Sequence, residues 1–137
     1  MGGSTTNRLA LNTDFFPTLT DLAGATTPEY VDGRSLRPLL EGSTATPWRT
    51  AFLLERGIHP YPGLSQEAEP LYGIRTSDGW KYVEYSGGFR ELYDLKTDPY
   101  ELDNSYDATS PPGDLVTRLE ALKGCAGATC RAAEDGP

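Results

Sequence analysis

Apolar and polar residues follow a helical rhythm near the start of this chain of 137 residues. Apolar side chains recur three or four positions apart, the spacing of one helix face, at Phe15, Phe16, Leu19, Leu22 and Ala23. Asp14 precedes them and is predicted to cap the helix, and Gly24 follows where a helix commonly ends. We expect this short helix to bury its phenylalanines against another surface.

Two further segments have the pattern of helices. Residues 36–41 are predicted to form a second short helix, with Pro38 in its first turn and Gly42 after its end. A last helix is predicted over residues 114–123, because one of its faces is apolar, at Leu115, Val116, Leu119 and Leu122. The acidic tail after Cys130 is expected to be mobile, as chain ends commonly are.

Between these helices the pattern is that of β-strands, over residues 50–55, 71–76, 80–85 and 91–95. Asp78-Gly79 separates the second strand from the third, and Ser86-Gly87-Gly88 separates the third from the fourth; both are hairpin signals. A longer loop, residues 56–70, joins the first two strands. The sequence therefore predicts an α+β fold, a small antiparallel sheet of about four strands covered by the C-terminal helix and preceded by two short helices.

Composition narrows the classes of partner. The chain has 11 prolines and 15 glycines, so much of it should form turns and loops. Its formal net charge of -8 opposes binding to nucleic acids and to anionic membranes, because like charges repel. No apolar stretch approaches the roughly 20 residues that span a bilayer. We therefore expect neither a nucleic acid nor a membrane as a partner, and we find no signal peptide in the sequence.

The two cysteines, Cys125 and Cys130, are separated by four small residues, which allow the chain to fold back so that the sulfurs meet. A disulfide is the favoured interpretation, and two free thiols near the chain end are the alternative. A disulfide indicates an exported protein, so we expect a secreted or cell-envelope location. Zinc needs about four ligands, and with one histidine in the chain a zinc site is not expected.

Candidate catalytic groups are sparse. His59 is the only histidine, and it lies in a proline-rich loop with no serine or cysteine beside it in a recognisable context. A catalytic triad is therefore not expected, and no glycine-rich phosphate loop is found. Asp98, Glu101 and Asp103 form an acidic group, but Pro99 and the short spacing favour a capped turn over a metal site.

Six segments form an ordered series of motifs: LNTDFFPTLTDLAGA, VDGRSLRPLLEG, WRTAFLLE, YGIRTSDGWKYVEY, ELYDLKTDPYELDN and LKGCAGATCRAAE. The first two resemble the segment that closes the core of sulfatases, which belong to the alkaline-phosphatase-like superfamily. The next three resemble strands and turns of the sulfatase C-terminal subdomain, and the last is similar to the tail of bacterial sulfatases. From about residue 12 to residue 134, the chain thus resembles the C-terminal subdomain of a bacterial arylsulfatase or N-acetylglucosamine-6-sulfatase-like enzyme.

The resemblance implies a parent enzyme that hydrolyses sulfuric esters with formylglycine and calcium. Formylglycine in the family derives from a Cys/Ser-x-Pro-x-Arg motif, and neither Cys125 nor Cys130 is followed by Pro-x-Arg. The calcium ligands of the family lie upstream of the recognised segments. We therefore expect no catalytic residue, metal site or cofactor in this chain and no turnover by the chain alone. Calcium and formylglycine are expected in the missing core of the parent.

The resemblance also suggests a division of the chain. Residues 1–13 are interpreted as a start added for expression and an extended lead-in, residues 14–49 as a helical link to the missing sulfatase core, and residues 50–137 as the C-terminal subdomain. The expected partners are that N-terminal core and, for the parent, a sulfated ester or sulfated sugar. An apolar helix surface with Phe15 and Phe16 also predicts self-association.

His59 and Tyr61 are the candidates for contact with substrate in the parent, because their loop is longer than packing requires. The alternative is that both are ordinary exposed loop residues. Two other functions stay open: a free-standing binding or interaction module that reuses the fold, or part of a phosphate or phosphonate ester hydrolase of the same superfamily. An upstream reading frame with the formylglycine motif would favour the sulfatase.

Overall fold

The computed structural model describes residue 3 and residues 5–43, 47–57 and 69–136. The chain forms two compact units. One unit is Ala51–Lys123, and the other combines Met1–Thr50 with Gly124–Pro137. We call them the sheet unit and the terminal unit, because the first contains all strands found in the described residues and the second joins the two ends of the chain.

The sheet unit contains four antiparallel strands in the order of the sequence. They are β1 (Ala51–Arg56), β2 (Leu71–Thr76), β3 (Trp80–Tyr85) and β4 (Arg90–Asp94). The predicted meander is confirmed, with β2 and β3 at the predicted bounds and β1 and β4 shifted by one residue. Gly79 and Gly88, in the two hairpin turns, have φ of 110° and 94°, a backbone conformation that favours glycine.

The core of the sheet unit lies between the sheet and helix α3 (Gly113–Lys123), which packs against β1 and β2. Ile74 and Tyr82 are paired across β2 and β3 and are almost fully buried. Leu119 and Leu122 of α3 are buried to the same extent, on the face that the sequence predicts to be apolar. The α+β fold with a helix over the sheet is therefore confirmed.

The terminal unit is built from short helices. A 3-10 turn, Asn12–Asp14, leads into α1 (Phe15–Leu22), and α2 (Arg37–Leu40) follows. The last helix, α4 (Ala128–Asp135), returns from the far end of the chain to this unit. The predicted disulfide between Cys125 and Cys130 is present, with a Cα–Cα distance of 4.7 Å, and it ties the segment before α4 to the first turn of that helix.

Two expectations for the terminal unit are wrong. The tail after Cys130 is not mobile but helical, and Glu134 in it is buried, because arginines far along the chain supply partners for its carboxylate. Asp14 stands at the N-cap position of α1, yet its side chain makes no capping hydrogen bond. Its carboxylate is instead fully buried and bound by other groups.

Among the helices that the structure describes, none is both long enough and apolar enough to cross a membrane.

Candidate functional site

The residues that the sequence nominates for substrate contact, His59 and Tyr61, lie within residues 58–68, outside the described part of the chain. The two described ends of that segment are joined. The guanidinium of Arg56 donates to the backbone oxygen of Glu69 from Nε at 3.1 Å and from Nη2 at 2.6 Å. The carboxylate of Glu69 in turn accepts from the backbone N–H of Gly87, in the turn between β3 and β4.

The acidic group after β4 forms a capped turn, as predicted. The carboxylate of Asp98 accepts from the backbone N–H of Leu102 and of Asp103, both at 3.0 Å. These hydrogen bonds lower the pKa of Asp98 below its ordinary value. Glu101 has φ of 57° and pairs with Lys81. Across the described ranges, no three His, Cys, Asp or Glu side chains are grouped so that they could hold a metal ion.

The terminal unit contains four side chains that we call the buried charge cluster: Asp14, Arg34, Arg49 and Glu134. The side chains of Asp14 and Arg49 have no exposed surface. Arg49 donates to both carboxylate oxygens of Asp14, with Nη2 at 2.7 Å from Oδ1. Its Nε lies 2.9 Å from Oε2 of Glu134, and Nη2 of Arg34 lies 3.0 Å from the same oxygen. Positive and negative groups therefore alternate through the cluster.

Backbone donors complete the surroundings of Asp14. Its carboxylate accepts from the N–H of Leu11 at 2.8 Å and from the N–H of Arg34 at 3.0 Å. A buried carboxylate is stable only when it is paired and hydrogen-bonded, and Asp14 meets both conditions. The side chain thus joins the segment before α1, the turn at Arg34 and the segment before β1.

The cluster also encloses an aromatic ring. The guanidinium carbons of Arg34 and Arg49 each lie 5.5 Å from the centre of the Trp48 ring, a geometry that favours cation–π attraction. Trp48 is buried and donates from Nε1 to the backbone oxygen of Leu9 at 2.7 Å. Nε of Arg34 is buried without a hydrogen-bond partner among the described residues.

The pKa values of Asp14 and Glu134, the two acids of the cluster, shift in opposite directions. Burial raises the pKa of Asp14, but hydrogen bonds from Arg49 and from the N–H groups of Arg34 and Leu11 outweigh it and hold that pKa below the ordinary value. Burial also raises the pKa of Glu134, and there it outweighs the opposing effect of Arg49 and Arg34. The arrangement therefore joins distant chain segments through buried, paired charges.

A shallow cleft of about 420 Å³ in the terminal unit shares Arg34 with the buried charge cluster. Charged, hydroxyl and proline side chains line it, among them Pro17, Asp21, Arg34, Ser35 and Arg131. Asp21 accepts from the hydroxyl of Ser35 at 2.7 Å and from Arg37 at 3.2 Å. Asp21 is thus already paired, Arg34 donates to Glu134 and Asp135, and Arg131 donates to the backbone oxygen of Val31.

Helix α1 turns its apolar side outward. Its buried residues are Pro17 and Thr18. Thr18 is fixed by two hydrogen bonds, from its hydroxyl to the oxygen of Asp14 at 2.6 Å and from the N–H of Leu36 at 2.8 Å. The side chains that are exposed form what we call the α1 face: Phe15 at 63%, Phe16 at 51%, Leu19 at 66% and Leu22 at 58%. The surface expected to bury the phenylalanines is therefore absent from the described residues.

All four residues of the buried charge cluster lie in segments that resemble the sulfatase family, but the sequence does not predict that they meet. The pattern around Asp14 predicts a helix cap and not a buried ion pair. The ion-paired residues of the cluster are 35 to 100 residues apart along the chain, so no local pattern links them. The sequence feature that could have indicated the cluster is Arg49, which directly follows Trp48.

A four-stranded antiparallel sheet with a helix over it, preceded by short helices, is the architecture expected of a sulfatase C-terminal subdomain. Residues 1–122 match the family model described as N-sulphoglucosamine sulphohydrolase, C-terminal. The chain belongs to this family of C-terminal sulfatase domains, and the resemblance seen in the sequence is confirmed.

Individual relatives agree with the family. An N-acetylglucosamine-6-O-sulfatase of Bacteroides thetaiotaomicron is 37% identical over 108 residues, covering 76% of this chain and 19% of that protein. A solved structure of a protein in complex with its substrate, D-glucosamine-2-N,6-O-disulfate, has a TM-score of 0.66 and 33% identity, over 78% of this chain and 22% of the other. The phosphonate monoester hydrolase of Agrobacterium radiobacter has a TM-score of 0.62 and 35% identity, over 80% and 24%. The chain therefore spans about a fifth to a quarter of these proteins.

Proposed function

We propose that the chain is the C-terminal, non-catalytic part of a sulfuric ester hydrolase and that it completes the fold of that enzyme. The observation that carries the proposal is the α1 face, where all four side chains are more than half exposed on a helix whose opposite side is fixed by hydrogen bonds. A soluble domain rarely exposes a contiguous apolar patch without covering it in its working state. The covering surface in this proposal is the preceding catalytic core.

The chemistry of the parent is part of the same proposal. Formylglycine belongs to the core, because no Cys/Ser-x-Pro-x-Arg motif occurs in this sequence, and the similarity to sulfatases supports calcium in the core with it. The substrate is a sulfated sugar, a class suggested by the name of the Bacteroides relative. Phosphonate ester hydrolysis is the second candidate, because the Agrobacterium enzyme shares this fold at 35% identity. Rates of the parent on an aryl sulfate and on an aryl phosphonate monoester distinguish the two.

The loop with His59 and Tyr61 borders the substrate pocket of the parent in this proposal. Its support is the length of the connection between β1 and β2 and the pairing of its ends through Arg56 and Glu69. His59→Ala in the parent should lower kcat/KM. A value within about twofold of the unaltered enzyme contradicts a role in the pocket.

Export is the proposed location, because the disulfide would form in an oxidising compartment. A bacterial source is proposed from the similarity to the Bacteroides sulfatase. Fractionation of cells that make the parent tests the proposed location. Recovery of the enzyme in the cytosol with both thiols free contradicts it.

Fragment complementation tests the proposed function. The separately made core of the parent and this chain should hydrolyse an aryl sulfate only when combined. Leu19→Ser, on the α1 face, should abolish recovery, whereas Leu102→Ser, a 78% exposed leucine of the sheet unit, should preserve it. If the core alone is fully active, or if this chain binds no core, a free-standing interaction module becomes the better explanation.

A further inference from the structure

The loop closed by the Cys125–Cys130 disulfide holds the start of α4 against residues 29–32. The backbone N–H of Gly127 donates to Oδ1 of Asp32 at 2.5 Å. Gly127 has φ of 55°, and a Cβ atom there would lie 2.3 Å from the backbone oxygen of Glu29. Only glycine fits this contact, because the neighbour is backbone and cannot move aside cheaply.

The rest of α4 is held by groups on the opposite end of the chain. Arg131 donates to the backbone oxygen of Val31 at 2.6 Å. Asp135 binds Nη1 of Arg34 at 2.7 Å, and the backbone oxygen of Glu134 accepts from the N–H of Thr50 at 2.8 Å. The side chain of Glu134 completes the buried charge cluster. Both ends of α4 are thus anchored within the terminal unit.

Without these contacts, α4 would not be a stable helix. It has 8 residues, and its first turn has no side-chain cap. Isolated helices of fewer than about 12 residues are marginal in water. If α4 leaves, Arg34 loses both of its acidic partners and Arg49 keeps Asp14 alone, so buried positive charge is left uncompensated. Loss of α4 would therefore leave the terminal unit open, with its charges unbalanced.

We propose that the Cys125–Cys130 disulfide is a redox switch that closes the terminal unit by fixing Gly127 against residues 29–32 and so seating Glu134 in the buried charge cluster. This inference does not depend on the parent's chemistry. Reduction by a dithiol opens the unit: the S–S bond breaks, and two electrons and two protons pass from the dithiol to the two sulfurs. The dithiol closes to its own disulfide. Cys125 is more exposed than Cys130, so its sulfur is the one attacked, and Cys130 leaves as thiolate before protonation.

The test uses the full chain with Trp80→Phe, which leaves Trp48 as the single tryptophan of the two in the sequence. Dithiothreitol should shift the emission of Trp48 to longer wavelength as the cluster takes up water. Amide hydrogen exchange of residues 128–136 should become faster by about tenfold or more, while exchange in β2 and β3 stays unchanged. The Cys125→Ser/Cys130→Ser variant should match the reduced protein.

Glu134→Gln is the matched control, because it weakens the far anchor and leaves the disulfide intact. Exchange should then rise toward the end of α4, while the backbone amide of Gly127 stays protected. The proposal is overturned if reduction changes exchange in α4 by less than about twofold, or if it accelerates α4 and the sheet equally. The second outcome would make the disulfide a general determinant of folding and not a switch.

Discussion

Among single residues, Arg49 makes the most deeply buried ion pairs of the buried charge cluster. The contribution of such pairs to stability depends on how far water is excluded from them. The side chain of Arg49 has no exposed surface and touches two acids. Arg37 also touches two acids, Asp21 and Glu41, but its side chain is 44% exposed. The two arginines therefore have the same number of partners in opposite surroundings, and they form a natural comparison.

Arg49→Met should destabilise the terminal unit by about 3–5 kcal/mol, because it leaves the buried carboxylates of Asp14 and Glu134 without their shared partner. Urea unfolding followed by Trp48 fluorescence in a Trp80→Phe background measures the change. Arg37→Met should leave the midpoint nearly unchanged, since water already solvates its partners. Equal effects of the two substitutions would mean that burial does not set the strength of these pairs.

Tyr82 predicts how the stability of the sheet unit depends on pH. Burial, with the hydrogen bond to Glu84 second, raises the pKa of Tyr82 from 10.0 to about 12. The unfolded chain therefore loses this proton at lower pH than the folded chain, so stability is full below pH 10 and falls as pH rises toward 12.

Tyr82→Phe should reduce the slope of unfolding free energy against pH in that alkaline window. Tyr100→Phe, at an 82% exposed tyrosine, is the control and should leave the slope as it is. Denaturant titrations at several pH values supply the measurement. An unaltered slope in Tyr82→Phe would show that this hydroxyl does not hold its proton more tightly in the fold.

At the scale of elements, the strands were predictable because their signals are local. Asp78-Gly79 and Ser86-Gly87-Gly88 fix two hairpins within a few residues, and apolar alternation supplies the register. Helix α4 was missed because its support is distant: Glu134 is buried only through Arg34 and Arg49, at separations of 100 and 85 residues. Acidic residues near a chain end look solvent-exposed until such partners are known.

A substitution at Gly33 tests how closely the backbone at this position approaches the backbone of Thr13 in the terminal unit. A Cβ atom there would lie 2.1 Å from the backbone oxygen of Thr13, directly before Asp14. Gly33→Ala should therefore destabilise the unit by roughly 1–3 kcal/mol through forced backbone movement. Gly113, at the start of α3, has nothing within 4 Å of a built Cβ, so Gly113→Ala should be neutral or slightly stabilising. Thermal unfolding ranks the pair, and a more harmful Gly113→Ala would refute this packing.

At the scale of the whole molecule, the family could be predicted from the ordered motifs, but the site could not be placed. The motifs around Arg34 and Arg49 indicated a sulfatase fold, and residues 1–122 match that family. What the pattern could not give was the direction of α1, because an amphipathic helix has the same sequence whether its apolar side faces its own unit or a neighbouring surface. Packing of Thr18 decides this, through contacts with Asp14 and Leu36.

The α1 face predicts that this chain, studied without a core, associates with itself. Contact between the exposed apolar faces of two chains removes them from water and is favourable. The net charge of -8 on each chain opposes that contact. We therefore expect sedimentation to show self-association that grows with protein concentration and with salt, since salt screens the repulsion.

Matched serine substitutions locate the contact. Phe15→Ser/Phe16→Ser removes two side chains that are 63% and 51% exposed, and it should make the chain monomeric with little loss of stability, because both residues are more than half exposed. Phe89→Ser removes a ring of similar exposure, 58%, from the sheet unit and should leave association intact. If Phe89→Ser alone abolishes association, the contact lies on the sheet unit. The α1 face would then lose its strongest support as the surface that meets a sulfatase core.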